Sequence, residues 1–173
     1  MMLALYTPIF PLFVCLLSGV AVFEINKVIG LKYKPLKFLS ILTASLLPLA
    51  ITYSQFNSFF PFLIIYTVLM LSWMLGDYEH TKFVTVASSV FVSIALPFAL
   101  STMVLFRDIY LRYPKHFSKH DGLFLLIMAL FCAWMTDIFA YFVGVKFGKH
   151  KMSPNISPKK SIEGAVGGVI GAI

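Results

Sequence analysis

A chain of 173 residues with 60% hydrophobic and 12% charged side chains, at a mean hydropathy of +0.90, is too apolar for a water-soluble domain. Soluble domains are about half apolar and about a quarter charged. The net charge of +7 comes from 14 Lys and Arg against 7 Asp and Glu. These cations sit in short loops between apolar runs, which is the placement of the positive-inside bias and argues against nucleic acid as the partner. Cys15 and Cys132 both fall inside apolar runs, and two cysteines make neither a disulfide framework nor a metal-ligand spacing.

At roughly 20 residues per crossing, the length allows about five or six spans. The first apolar run covers Leu3 to Ile25; it lacks a basic leader, is interrupted by Pro8 and Pro11, and reads as a retained crossing. Lys27, Lys32 and Lys34 follow it in a short loop. A second run, Leu36 to Tyr53, turns at the polar stretch Ser54 to Ser58, and a third, Phe59 to Leu75, is near the short limit for a span. Asp77, Glu79 and His80 lie in the next loop. The fourth run, Phe83 to Phe106, contains Pro97, a site for a kink. After the polar loop Arg107 to Asp121 comes the fifth run, Gly122 to Val145. The last apolar stretch, Ile162 to Ile173, is twelve residues long, too short to cross alone.

Continuous hydrophobicity predicts helices, because a membrane β-barrel would alternate in segments of about ten residues. The expected fold is all-α: a polytopic transmembrane bundle with five full spans and a truncated, glycine-faced helix. Residues 1–145 form the transmembrane region, 146–161 a basic cytoplasmic loop, and 162–173 the start of the last helix. Simple alternation puts both the first loop and the last basic loop in the cytoplasm. It also puts Arg107, Arg112, Lys115 and Lys119 outside, against the charge bias, so one run is expected to be re-entrant or interfacial.

Chemistry concentrates between Asp137 and Ile173. An ionised carboxylate inside an apolar run is costly, so Asp137 should face a cavity, a cation or a polar partner. Tyr141 lies one helical turn further on, and Gly144 and Gly148 continue that side. A plain polar contact between helices explains Asp137 equally well. The next segment carries five lysines, at 146, 149, 151, 159 and 160, and no acid until Glu163. Such a field suits a phosphate-bearing ligand at the membrane surface, although lysine-rich cytoplasmic loops are common in any membrane protein. Ser161 is an expected N-cap, which would aim free backbone N–H groups beside Lys159 and Lys160. Gly164, Gly167, Gly168 and Gly171 make one glycine face that admits close approach of another helix. No Walker A loop, nucleophile elbow or HExxH pattern is present.

The order Asp137-x-x-Ala140-Tyr141, Gly144, Phe147-Gly148-Lys149-His150-Lys151, Ser157-Pro158-Lys159-Lys160-Ser161, Glu163-Gly164 and Gly167-Gly168 resembles the phosphatidate cytidylyltransferases, or CDP-diacylglycerol synthases. The resemblance covers about the last 37 residues strongly, and the upstream helices agree only in character. It departs at Val145, where the family has Arg or Lys; at Ser161, where Thr is common; and at Ile162, where an aromatic is frequent. It implies a nucleotidyltransferase that joins CTP to phosphatidic acid with Mg2+, in the inner membrane of a bacterium. Lys159 and Lys160 would bind phosphate with Ser157 and Ser161. Lys160 and Asp137 would serve catalysis, Asp137 would orient a lysine or help hold the metal site, Tyr141 would support it, and Lys149 and Lys151 would attract anionic lipid. The family's C-terminal Lys-Arg, Lys-Asp and acidic signature is not in this sequence, so the chain is expected to be a fragment whose main metal carboxylates lie elsewhere. Its glycine face is expected to meet a partner surface in that continuation or in a second subunit of a homodimer. The alternatives are a catalytically inactive membrane remnant and a small transporter.

Overall fold

The computed structural model describes residues 8–53, 56–76, 81–153 and 157–172. Among the described residues, seven helices and one short hairpin follow in chain order: α1 Ile9–Ile29, α2 Lys34–Tyr53, α3 Phe56–Gly76, α4 Phe83–Arg107, α5 Ile109–Arg112, α6 Lys119–Phe147, β1 Lys151–Ser153, β2 Ser157–Ser161 and α7 Ile162–Gly171. They divide into two compact units, Met1–Ile109 and Tyr110–Ile173. Residues 54–55 and 77–80, which include Asp77, Glu79 and His80, lie outside the described residues.

Among the described residues, α1, α2, α4 and α6 are long and apolar enough to cross a membrane. The apolar stretch Phe60–Gly76 in α3 and the ten residues of α7 are shorter. Helix α3 as a whole, Phe56–Gly76, is 21 residues long, the same length as α1. The chain is thus an all-α, multi-pass membrane protein. Its outer surface agrees, since Phe13, Leu16, Phe91 and Trp134 are all exposed, as side chains facing lipid are.

With lipid as solvent, helices associate by close packing and polar contacts more than by hydrophobic burial. In the first unit Asn26 of α1, fully buried, donates through Nδ2 to Ser40 Oγ of α2 at 2.7 Å. Tyr66 of α3 meets Ser93 of α4 at 2.6 Å between hydroxyls. Around Tyr66 pack Leu36, Met70 and Val86. Helix α1 ends at Gly30, whose φ of 80° places it in the left-handed region and lets its N–H reach the carbonyls of Asn26 and Lys27. Pro97 is buried inside α4, which continues on both sides of it.

Arg107 departs from the loop cation expected of it. It closes α4, is 5% exposed, pairs with Asp108 at 2.5 Å and stacks over the Phe10 ring at 5.2 Å. The pair is close to neutral, so one of the four cations that opposed the charge bias no longer counts towards it.

Candidate functional site

The sequence-marked residues gather in the second unit, where α6, the hairpin and α7 meet. Helix α6 opens with a capping box: Ser118 Oγ accepts from the Asp121 N–H, and Asp121 Oδ2 accepts from the Ser118 N–H at 2.7 Å. Twenty-nine residues later α6 ends at Phe147. Gly148 caps it, donating to the Gly144 carbonyl at 3.1 Å. A β-carbon on Gly148 would lie 2.2 Å from that carbonyl oxygen and 2.6 Å from Ser161 Oγ, so only glycine fits this corner.

The basic segment is not an open loop. Its strands pair antiparallel with Lys151 opposite Ser161 and Ser153 opposite Ser157, a small sheet in an otherwise helical fold. The pairing continues into the helix junction, where the Ile162 N–H donates to the His150 carbonyl at 3.0 Å. Lys149, Lys151, Lys159 and Lys160 are all exposed on this hairpin, and Ser157 is half-buried. Four ammonium groups are thereby carried on about a dozen residues at the end of a membrane span.

Ser161 caps α7 as expected: its backbone is extended and its Oγ accepts from the Gly164 N–H at 3.2 Å. It is 6% exposed. The helix start offers fewer free N–H groups than expected, since Ile162 and Gly164 are already donating within the fold. A cap of this kind contributes about 1 kcal/mol. Ser161→Ala should therefore lower thermal stability in detergent by about that amount, and Ser161→Thr should recover most of it.

The glycine face of α7 has its partner in the same chain, correcting the expectation of a surface elsewhere. A β-carbon on Gly164 would lie 2.7 Å from the Ala140 carbonyl, and one on Gly168 would lie 2.8 Å from the Thr136 carbonyl. Gly167 and Gly171 similarly rest on Val143 and Phe139. Thr136, Ala140 and Gly144 form the matching stripe of small residues on α6, four residues apart. Beside this seam opens an apolar groove of about 680 Å3, lined by Phe139, Val143, Phe147, Ile162, Val166 and Ile170, with Glu163 also in its lining.

Glu163 was legible only as a motif letter, yet it ties the site together. Its carboxylate accepts from the backbone N–H groups of Lys149 and His150 at 3.2 Å, and meets His150 Nδ1 at 2.6 Å. The His150 side chain is the largest cause that draws the Glu163 carboxyl from 4.5 down to about 2. A depressed carboxyl contributes stability that is complete above its ordinary value and lost as pH falls through the lowered one. The hairpin attachment should be intact at pH 5 and should weaken between about 4.5 and about 2. Thermal scans across that range should show the decline, and Glu163→Gln should flatten it.

Asp137 and Tyr141 lie one turn apart on α6, as read, and both are exposed. Among the described residues no lysine pairs with Asp137, and the Tyr141 ring packs edge-on against Phe142 at 5.7 Å between centroids. Among the described residues no group of three or more His, Cys, Asp or Glu converges. Asp137 is then a single donor, a set too small to hold magnesium by itself.

A family model described as the cytidylyltransferase family matches residues 1–173. The chain is similar to the phosphatidate cytidylyltransferase of Haemophilus influenzae, 44% identical over 81 residues, which are 45% of this chain and 28% of that protein. It is 37% identical to that of Thermotoga maritima over 87 residues, half of this chain and 31% of the relative. For the Aquifex aeolicus protein the figure is 42% over 74 residues, covering 42% and 28%. The matched segments thus span less than a third of these relatives' lengths. No solved structure matches. With its full length matched by the family model, the chain belongs to the cytidylyltransferase family.

Proposed function

We propose that this chain serves the transfer of a cytidylyl group from CTP to phosphatidic acid, giving CDP-diacylglycerol and pyrophosphate at the cytoplasmic face of a bacterial cell membrane. The observation that carries this reading is the lysine hairpin, fixed at the end of a membrane span beside an apolar groove. An amphiphile with a phosphate head fits such a junction, its acyl chain along the groove and its phosphate at the ammonium groups.

In the reaction a phosphatidate oxygen attacks the α-phosphorus of CTP, and the bond to the bridging oxygen of pyrophosphate breaks. Transfer of this kind needs charge neutralisation and in-line placement more than a covalent nucleophile. Lys159 and Lys160 neutralise the phosphate oxygens, and Lys149 raises the local concentration of anionic lipid. Ser157 adds a hydroxyl at the hairpin, and Ser161 acts by fixing the backbone next to Lys160. Tyr141 and Asp137 would flank the approach along α6. Asp137 is the residue here that the resemblance offers to a divalent metal, which would supply further neutralisation of phosphate charge.

The test is turnover by the full-length protein in liposomes. Mass spectrometry should detect CDP-diacylglycerol only when CTP and phosphatidic acid are both supplied. Absence of the product, with the protein folded and inserted, would sink the reading and favour an inactive family member.

A further inference from the structure

We infer that Glu163 is a positioning residue, a clasp that fastens the entry of the lysine hairpin to the first turn of α7 and so presents the hairpin lysines to a triphosphate. The inference rests on the cytidylyl-transfer reading, but its geometry stands by itself. The hairpin has two attachments. At its exit, Ser161 is buried against Gly144 and Gly148 and caps α7. At its entry, the backbone N–H groups of Lys149 and His150 both point at the Glu163 carboxylate.

Electrostatics makes this placement informative. Glu163 is the single acidic residue between Lys146 and Ile173, in a stretch with five lysines. A carboxylate free to swing would pair with those lysines or repel an incoming triphosphate. Instead its oxygens are taken by two backbone N–H groups and the His150 ring. The lysines keep their charge for an outside anion. One carboxylate oxygen, Oε2, accepts from both backbone N–H groups, so glutamine, which keeps such an oxygen and loses only the charge on the His150 contact, should hold the hairpin where alanine should not.

The experiment compares full-length parent, Glu163→Ala and Glu163→Gln in liposomes, each also carrying a spin label at Met152→Cys in a background with Cys15 and Cys132 replaced by serine. Met152 is exposed on β1 and has no part in the proposed chemistry. Glu163→Ala should increase label mobility and raise KM for CTP at least tenfold, with kcat changed less than threefold. Glu163→Gln should restore both readings to within threefold of the parent. Unchanged mobility in Glu163→Ala, or a fall in kcat with KM unaltered, would overturn the clasp. A parent that makes no CDP-diacylglycerol would overturn the cytidylyl-transfer reading and the triphosphate role with it, while label mobility would still show whether Glu163 fastens the hairpin.

Discussion

Lys160→Ala is expected to reduce kcat/KM for CTP by roughly 100-fold or more, while leaving membrane insertion and thermal stability near those of the parent. The first half follows from charge. A phosphoryl centre under attack spreads negative charge over its oxygens, and a preorganised donor lost from such a site costs about 3–4 kcal/mol, or roughly two to three orders of magnitude. The second half follows from exposure. Lys160 lies on the surface of β2, whereas its neighbour Ser161 makes the buried contacts. Lys160→Arg should retain part of the rate, since it keeps the cation but changes its reach and geometry. Lys149→Ala should cost about fivefold or less, because a residue that only attracts anionic lipid acts through concentration. Near-normal turnover in Lys160→Ala would remove this lysine from the phosphate site.

The second large effect belongs to the seam between α6 and α7. Gly164→Val should detach the hairpin from its support and abolish activity along with the normal melting transition. A β-carbon there would approach the Ala140 carbonyl at 2.7 Å and the Gly144 Cα at 3.0 Å. Both are backbone atoms and can move only if a helix moves. Overpacking at a tight contact typically costs 1–3 kcal/mol, and a branched side chain against backbone sits at or above the upper end. Gly76 supplies the control. Among the described residues nothing lies within 4 Å of an added β-carbon at the end of α3, so Gly76→Ala should behave like the parent. A stable, active Gly164→Val protein would mean that the seam does not support the site.

How much of this was readable from residues alone depended on the range of each interaction. The long helices were legible because lipid demands unbroken apolar runs: the fourth run was expected to end at Phe106 and α4 ends at Arg107. The Ser161 cap was also local, a hydroxyl three residues before the N–H it accepts from. The hairpin was not legible. Its strands are three and five residues long, irregular in register and rich in lysine, with no apolar alternation to mark them. The Glu163 clasp joins residues 13 and 14 positions apart across the hairpin, which no helix or turn rule connects. The partner of the glycine face could have been found, because Thr136, Ala140 and Gly144 repeat small side chains every four residues on α6. Burial of Arg107 depends on Phe10, almost a hundred residues earlier, and on Asp108 closing the charge.

The most direct test of the cytidylyl-transfer account is to follow both ends of CTP in one reaction. Full-length protein in phosphatidate liposomes would be given CTP labelled at the α-phosphate in one sample and at the γ-phosphate in another. The account predicts that α-label enters the lipid fraction, that γ-label leaves as pyrophosphate in equal amount, and that Lys160→Ala loses both together. Label from the γ-phosphate in lipid, or pyrophosphate release that does not depend on phosphatidate, would contradict it.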